Sequence, residues 1–498
     1  MLWVCGGLLA LANFMAVLDT TIANVSVSNV AGGLGVARNP GSGVITSYAV
    51  AEAVTVPLTG WLANRFGAVK VFVFAMLGFG LFSALCGLAP SLGALVVFRV
   101  CQGLAGGPMM PLSQTLLRRI FPPQLQSAAL GLWGMTTVVG PIAGPLLGGV
   151  LCDQAGWPWV FYINVPIALF CAGLSWRLIR GAETKTMRVP VDVVGLGLLI
   201  LWIGAMQVML DKGKDLDWFQ SPFIVTLAII AVIGFAAFVI WELTEEHPIV
   251  DLKVFRHRGF AVSTVIMSLT FGAFFSSVVL IPLWLQTNLG YTATWAGRVT
   301  AFQGVLAVVM SPIVAQLLGR KADPRFLVSF GVMVMAVVTF SRTGFNDQMD
   351  FWRLVAPQFA LGFAMPFFFL PLTAIAQGAV NHEESASAAG LINFMRTTAG
   401  AFGTSITTTA WDNLTTSQHA DLSGLLNAPQ QTLNRLQAIG MSASQSVEQL
   451  NNLVQGQAVM LATNKVFIVV TGVLVLASCT AWLTPKPQGP FDPGAGGH

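Results

Sequence analysis

The sequence predicts an all-α integral membrane protein with fourteen transmembrane helices. Of its 498 residues, 55% are hydrophobic and only 9% are charged, and the mean hydropathy is +0.74. A soluble protein would carry roughly 25% charged residues. Apolar runs of about 20 residues, long enough to cross a bilayer as a helix, follow one another almost end to end. Because backbone in lipid must satisfy its own hydrogen bonds and the alternating strands of a barrel are missing, these spans are predicted to be helices.

The apolar runs and the basic residues between them give the order and orientation of the spans. With the N-terminus inside, 15 of the 25 Lys and Arg residues fall on the cytoplasmic side, 7 fall outside and 3 fall within spans. This bias predicts that both termini are cytoplasmic, which requires an even number of spans. The net charge of +4 is too diluted to indicate nucleic-acid binding. The predicted spans are residues 3–28, 43–63, 69–90, 93–117, 125–152, 157–178, 193–211, 220–242, 259–286, 293–318, 326–343, 351–377, 386–411 and 464–484.

Three segments in the first part of the chain are similar in sequence to three segments in the second part, and they occur in the same order. This similarity predicts an internal repeat. The similar segments fall in corresponding places if six helices form each half of the chain and two more are inserted between the halves. We therefore predict an N-terminal six-helix half at 1–180, an inserted two-helix hairpin with cytoplasmic linkers at 181–258, and a C-terminal six-helix half at 259–498. The pairs are QGLAGGPMMPLS (102–113) with QFALGFAMPFFFLPLT (358–373), MTTVVGPIAG (135–144) with RTTAGAFG (396–403), and GWLANRFGAVK (60–70) with AQLLGRKADPR (315–325).

A long polar segment at 412–463 follows the thirteenth span on the outer side. It is rich in Gln, Asn and Ser, and its Leu residues recur at helical spacing. This pattern predicts short amphipathic helices outside the membrane, which would offer a docking surface to an extracytoplasmic partner. A flexible linker is the alternative.

Of the 21 Asp and Glu residues in the chain, Asp19 and Glu52 are the two that lie well inside predicted spans. No His cluster lies at that depth in the membrane. A charge there costs roughly 2.5–3.5 kcal/mol on insertion scales, so such groups tend to be functional. Burial disfavours the charged form of a carboxyl group, which allows it to bind and release a proton near neutral pH. We therefore predict that both acids carry protons. A structural hydrogen bond for Asp19 and a position near the outer mouth for Glu52 are the alternatives.

Two arginines within the spans are candidates for the same site. Arg99 keeps its proton, but it can hold a neighbouring carboxylate charged and respond when that acid is protonated. Pairing with backbone carbonyls in a helix gap is the alternative. Arg396 has Met135 as its repeat counterpart, so the site is predicted to be asymmetric, with Arg396 facing an anionic substrate or Glu52.

Two glycine-containing segments are predicted to act in conformational change. The segment GPIAGPLLGG (140–149) permits close helix approach and bending, which predicts a pliable contact between the halves, with ordinary packing as the alternative. The segment GWLANRFGAVK (60–70) predicts a tight basic turn that locks against a neighbouring helix. The residues concerned are Gly60, Arg65, Gly67, Lys70, Gly140, Pro141, Gly144 and Gly148.

Polarity and depth select the residues predicted to line a mostly apolar substrate cavity. They lie in the first, fourth, fifth and thirteenth spans. The candidates are Asn24, Gln114, Trp133, Asn393 and Arg396.

These segments resemble motifs of the major facilitator superfamily, specifically of its fourteen-span drug:proton antiporters of the EmrB/QacA family, and most of all the EmrB subgroup. Asn64 stands where the loop motif usually has Asp, which removes one half of a gating ion pair. The resemblance covers nearly the whole chain. It is carried by LDTTIANV (18–25), GWLANRFGAVK (60–70), RVCQGLAGGP (99–108), GPIAGPLLGG (140–149), WPWVFYINVP (157–166), QVMLDKGKDLDW (207–218) and TSITTTAW (404–411).

The resemblance implies a proton-coupled multidrug efflux antiporter in a bacterial inner membrane. Such a protein exports hydrophobic or amphipathic drugs by alternating access, is driven by the proton gradient and needs no cofactor. The resemblance also implies a periplasmic adaptor (membrane fusion) protein of the EmrA type and, through it, an outer-membrane channel of the TolC type.

A metabolite exporter, a membrane enzyme and a passive channel are the alternative functions. The first alternative is a proton-coupled exporter of a specific metabolite such as a siderophore or fatty acid. A membrane enzyme would need a nucleophile–base pair or a metal cluster, and neither is visible in the sequence, where the six Cys form no CxxC pair. The fifth span and the buried acids argue against a passive channel.

Overall fold

The computed structural model describes residues 2–35, 43–187, 190–320, 322–346, 348–381, 383–426 and 429–485. Every regular element in these ranges is a helix. The α-helices are α1 (Leu2–Gly33), α2 (Gly43–Thr55), α3 (Thr59–Phe66), α4 (Ala68–Gly87), α5 (Leu92–Gly106), α6 (Met109–Ile120), α7 (Pro123–Gln154), α8 (Trp159–Tyr162), α9 (Asn164–Ile179), α10 (Val193–Lys212), α11 (Pro222–Thr244), α12 (Arg258–Thr287), α13 (Ala293–Gly319), α14 (Pro324–Ser341), α15 (Phe351–Gly378), α16 (Ser385–Gly424), α17 (Pro429–Ala438) and α18 (Ala443–Thr480). Short 3-10 helices lie at Arg180–Ala182, Lys214–Leu216, Trp218–Gln220, Leu252–Arg256, Arg342–Gly344 and Ala481–Leu483.

Eleven helical segments of the described chain are long and apolar enough to cross a membrane, so the chain is a multi-pass membrane protein. The predicted spans at 43–63, 125–152 and 386–411 are not among the eleven, and the count of fourteen stays a prediction. Pro57 explains the first case, because proline lacks an amide hydrogen and disfavours helical geometry in the residue before it. The helix is consequently divided into α2 and α3 at this point.

The helices pack in two groups with a pair between them. In the N-terminal helices (α1–α9), α1 packs along α7 and α9, α2 packs on α5, and α4 packs on α5 and α9. In the C-terminal helices (α12–α16 and α18), α12 packs on α16 and α18, and α15 packs on α13 and α14. The pair α10 and α11 packs together, and α10 also contacts α2 and α16. The predicted boundaries at residues 180 and 258 stay predictions.

The two groups meet closely on the side predicted to be cytoplasmic. A side chain at Gly60 would collide with Ser387, and one at Gly390 would collide with the Val56 carbonyl. Arg118 Nη1 also donates to the main-chain and side-chain oxygens of Gln377, at 2.8 Å each. These contacts join α3 and α6 to the end of α15 and the start of α16. The protein is therefore closed at this side.

The segment 412–463 differs from its prediction. The structure forms no series of short amphipathic helices there, since α16 runs on to Gly424 and α18 already begins at Ala443. Only α17 is a short helix. No Pro or Gly interrupts residues 404–423, so nothing in the sequence ends α16 at the membrane surface. We call residues 412–426 and 429–463 the helical projection.

The two long helices of the helical projection hold each other side by side. Trp411 Nε1 donates to Thr463 Oγ1 at 2.8 Å near its base. His419 Nε2 and Asn451 Oδ1 lie 3.0 Å apart further out. The segment is therefore a braced pair of helices and not a flexible linker.

Candidate functional site

A fully buried ion pair joins α1 to α5. Arg99 Nη1 donates to Asp19 Oδ2 at 2.7 Å, and the two side chains are 1% and 0% exposed. Arg99 Nε also donates to the Val44 carbonyl at 3.3 Å, and its guanidinium lies over the Tyr48 ring at 4.3 Å. The structure therefore brings together two residues that the sequence predicted for proton coupling.

Amide side chains complete the shell around Asp19. Gln102 Nε2 and Asn164 Nδ2 both donate to Asp19 Oδ1, at 3.2 and 2.7 Å. Gln102 Oε1 accepts from Arg99 at 2.9 Å. Asn164 also donates to Ser83 Oγ at 3.2 Å. Together with Arg99 these donors surround the Asp19 carboxyl group. The residues of this network come from four elements, α1, α4, α5 and α9.

Sequence reasoning missed Asn164 and Ser83 as members of this site. Both are 0% exposed. Asn164 stands directly after the aromatic segment at 157–163, and its polarity in a buried run was the available signal. Ser83 gave no comparable signal, because a serine in a membrane helix usually bonds to its own backbone.

Glu52 lies beside this network without joining it. It remains partly exposed on α2, and no ion pair of the described residues includes it. Gly103 lets α5 approach this part of α2, because a side chain there would collide with the Tyr48 carbonyl and the Glu52 amide. Helix α2, which carries Glu52, packs on α5 with its Arg99 and also contacts α16, which carries Arg396. Glu52 is therefore positioned between the ion pair and the C-terminal helices.

Four of the five predicted cavity residues occur along the contact between the two helix groups. Asn393 Nδ2 donates to Gln114 Oε1 at 3.3 Å. Trp133 donates from Nε1 to Ser113 Oγ at 2.8 Å and stacks on Phe369 with ring centroids 6.1 Å apart. Asn24 belongs to α1, and its side chain lies outside the described residues.

Arg396, on α16, is buried among apolar groups. Its Nη2 donates to Met110 Sδ at 2.6 Å, and its guanidinium lies 5.2 Å from the Phe271 ring centre. Its Nη1 has no hydrogen-bond partner in the described chain. Thioether sulfur is a weak acceptor, so this cation has spare capacity for a negatively charged group.

The residues that sequence reasoning missed here are mostly aromatic or apolar. Met110, Phe271 and Phe369 surround Arg396, but hydropathy could not separate them from core or lipid-facing neighbours. Asn13 is also buried, and its Nδ2 donates to Thr136 Oγ1 and Thr137 Oγ1 at 2.8 and 2.9 Å. An amide inside the first span was the signal that could have found it.

The turn at 60–70 contains both a tight bend and a contact with a neighbouring helix. Gly67 has φ +96°, a conformation that favours glycine, and Gly60 provides the contact with Ser387 on α16. Glu183 Oε1 and Oε2 accept from the amides of Val69 and Lys70 at 2.9 and 3.2 Å.

The carboxylate that accepts hydrogen bonds from this turn therefore belongs to Glu183. Asn64 stands at the position where the loop motif usually has Asp. Arg65 lies 5.3 Å from the Trp61 ring centre. The Arg65 guanidinium therefore lies over an aromatic ring of its own helix, α3.

The glycines of segment 140–149 allow α7 to pack closely on α1. Side chains at Gly140, Gly144 and Gly148 would collide with Val17, Thr21 and Ile22 of α1. These three glycines face a helix of their own group, and the prediction that the segment forms a pliable contact between the halves stays a prediction. The Pro141 side chain lies outside the described residues. Helix α7 also packs along α13 of the C-terminal group, and a side chain at 131 would press on Ala315 there.

Comparison with known proteins gives a consistent result. A family model described as Major Facilitator Superfamily matches residues 9–404. The chain is 42% identical to "Multidrug export protein EmrB" of Escherichia coli K12 over 98% of this chain and 96% of that protein. It is 43% identical to "Fatty acid resistance protein FarB" of Neisseria gonorrhoeae over 98% and 97%.

The fold also matches solved structures. The structure of the proton:xylose symporter XylE superposes with a TM-score of 0.60, covering 97% of this chain and 96% of that one, at 13% identity. At that identity the match supports the fold alone. It agrees with the arrangement of helices described above.

Proposed function

Because the chain belongs to the major facilitator superfamily, we propose that it is a proton-coupled multidrug efflux antiporter. It would export hydrophobic or amphipathic compounds by alternating access, driven by the proton gradient without a cofactor. The 42% identity to a multidrug export protein over nearly the whole chain supports the substrate class.

The observation that carries proton coupling is the buried Asp19–Arg99 pair next to Glu52, an acid outside any described ion pair. A proton that binds Glu52 removes a negative charge between Asp19 and Arg396, and a proton that binds Asp19 leaves Arg99 without its counter-charge. Either event changes the balance of charge across the contact between the helix groups. One charge moving across 100 mV supplies about 2.3 kcal/mol.

We further propose fourteen spans, arranged as two six-helix halves around an inserted hairpin, in a bacterial inner membrane with both termini cytoplasmic. The distribution of basic residues supports this orientation. In this arrangement the closed side described above is cytoplasmic, and the described conformation faces outward. The cycle then requires α3 and α6 to separate from α15 and α16.

The test of the central proposal is export by purified protein in liposomes. We expect a fluorescent lipophilic drug to move against its gradient when a pH gradient is imposed, and to stop when an ionophore collapses that gradient. Liposomes without protein and liposomes with a Glu52→Gln variant provide the controls. Export that continues unchanged after the collapse would refute proton coupling while leaving drug transport in place.

The proposed partners are an EmrA-type periplasmic adaptor and, through it, a TolC-type outer-membrane channel. The helical projection supports this proposal because it carries exposed apolar side chains, among them Leu425 at 72% and Ile439 at 74%. We expect Leu425→Asp with Ile439→Asp to abolish co-purification of the adaptor, since charges cannot replace a buried apolar contact. Drug export in liposomes should remain, and intact adaptor binding by the double variant would contradict the docking surface.

The alternative is a proton-coupled exporter of a specific metabolite such as a fatty acid or a siderophore. The relative described as a fatty acid resistance protein, at 43% identity, supports this alternative. The chemistry around Arg396 favours it as well, because a guanidinium with an unpartnered Nη1 among Met110, Phe271 and Phe369 suits an anionic amphiphile.

Arg396→Gln separates the two substrate classes. We expect transport of a C12 fatty acid to fall about tenfold or more, because a hydrogen bond to a charged group contributes roughly 1.5–3 kcal/mol. Transport of a C12 trimethylammonium ion should not fall. Arg298→Gln is the matched control, since Arg298 is exposed and lies over Trp295. Equal losses for both amphiphiles would rule out charge selection by Arg396.

A further inference from the structure

A second fully buried arginine lies among the C-terminal helices, away from the site described above. Arg342 begins the 3-10 helix that follows α14 and is 0% exposed. Its Nη2 donates to Gln358 Oε1 at 3.3 Å, and its guanidinium lies 5.9 Å from the Phe467 ring centre. The residue therefore connects the outer end of α14 to α15 and α18.

The neighbourhood of Arg342 holds several donors without acceptors. Arg342 Nε and Nη1, and Gln358 Nε2, have no hydrogen-bond partner in the described chain. Trp284, which stacks on Phe345 three residues after Arg342, also has an unpartnered indole N–H. Buried donors are normally satisfied, and a buried guanidinium also requires a compensating charge.

No acid of the described chain supplies that charge. No ion pair of the described residues includes Arg342. The nearby Asp350 is exposed and pairs with Arg353 at 3.5 Å. Asp347 lies outside the described residues. The experiment below tests its contribution with the variant Asp347→Asn.

Comparison with the N-terminal helices identifies what this site lacks. In the sequence repeat, Gln358 corresponds to Gln102, and each glutamine accepts a hydrogen bond from a buried arginine. Around Gln102 the cation is neutralised by Asp19 on α1. The corresponding first helix of the C-terminal group is α12, which contains no acid from Arg258 to Thr287. The C-terminal site thus also joins a buried arginine to this glutamine, although Arg342 comes from a different element than Gln358 whereas Arg99 and Gln102 share α5. A carboxylate in the place of Asp19 is missing from α12.

We infer that Arg342 and Gln358 form a binding site for a small monovalent inorganic anion, which takes the place of the missing carboxylate. Chloride is the probe. The anion would accept hydrogen bonds from Arg342 and from Gln358 Nε2 and tie the outer end of α14 to α15. Gln358 lies seven residues into α15, about 10 Å from its outer end at 1.5 Å per residue, so the anion would enter from the outer side.

The experiment measures thermal unfolding of the purified full chain in potassium chloride and in potassium gluconate at equal ionic strength. A ligand that binds the folded state alone stabilises it in proportion to its saturation. We expect chloride to raise the unfolding temperature in a saturable way and to broaden the ³⁵Cl magnetic resonance line. Both effects should disappear in Arg342→Met. They should remain in Arg353→Met, the matched control at an exposed position, and in Asp347→Asn.

Gln358→Leu tests the site independently if Arg342→Met does not fold. Loss of one donor to an anion should raise the half-saturating chloride concentration about tenfold. The proposal is wrong if the wild-type chain unfolds at the same temperature in both salts, or if its ³⁵Cl line is no broader than that of Gln358→Leu. It is also wrong if a chloride effect appears only in Asp347→Asn, because Asp347 would then supply the missing charge.

Discussion

Asp19→Asn should abolish proton-driven export. The substitution keeps the shape of the side chain but removes the charge that accepts from Arg99 at 2.7 Å, so no proton can be exchanged at this position. It also leaves a buried guanidinium without its partner, at a cost of about 3–5 kcal/mol when one member of a buried pair is removed. The measurement is drug export into liposomes across an imposed pH gradient, together with the unfolding temperature of the same preparation.

The double variant Asp19→Asn with Arg99→Gln separates coupling from stability. Removing both charges takes away the uncompensated cation, so the unfolding temperature should return toward that of the wild type. Export should stay absent. Recovery of export in the double variant would mean that Asp19 serves only to neutralise Arg99. Asp350→Asn, at an exposed acid, is the matched control and should change neither quantity.

A disulfide between positions 60 and 387 should stop the transport cycle. In the Gly60→Cys, Ser387→Cys variant, the two Cβ atoms would lie next to each other, with the ideal Cβ at 60 only 2.9 Å from that of residue 387. A helix shift of about 1 Å reaches disulfide geometry. Oxidation would then hold α3 against α16 and keep this side closed. We expect export to fall to the level of protein-free liposomes and to return when the bond is reduced.

The single variants Gly60→Cys and Ser387→Cys, treated with the same oxidant, control for the six free cysteines of the wild-type chain. Because a side chain at 60 presses on Ser387, each variant is compared with itself, and each single variant should export equally before and after oxidation. Full export by the oxidised double variant, with the disulfide verified by mass spectrometry, would show that α3 and α16 need not separate during transport.

The sequence predicted which side chains lie inside the membrane. It predicted much less about which helices these side chains contact. Hydropathy located Asp19, Glu52 and Arg99 inside the membrane, and charge balance suggested that an acid and an arginine would pair. The periodicity of an apolar helix does not reveal which face meets which helix, because lipid-facing and core-facing residues are equally hydrophobic. The contact of Gly144 with Thr21 on α1 was therefore not predicted, and neither was the contact of Asn164 with Asp19.

The predicted ends of the spans also differ from the helix ends in the structure. The predicted end of the thirteenth span followed the fall in hydropathy near residue 411. The backbone instead follows helix propensity and tertiary contacts, so α16 continues to Gly424. Arg342 illustrates the converse case. It lies at the end of a predicted span, and hydropathy does not show that the helices close over it and leave it fully buried.

The unbroken course of α16 has a mechanical consequence. This helix of 40 residues carries Asn393 and Arg396 near one end and finishes in the helical projection at Gly424. It contains no proline and runs without a break, and we expect it to tilt as one body. The 28 residues from Arg396 to Gly424 span about 40 Å at 1.5 Å per residue. A tilt of roughly 10° about Arg396 would therefore sweep the far tip sideways by about 7 Å. Small rearrangements around a bound substrate are thus amplified, by leverage alone, into large displacements outside the membrane.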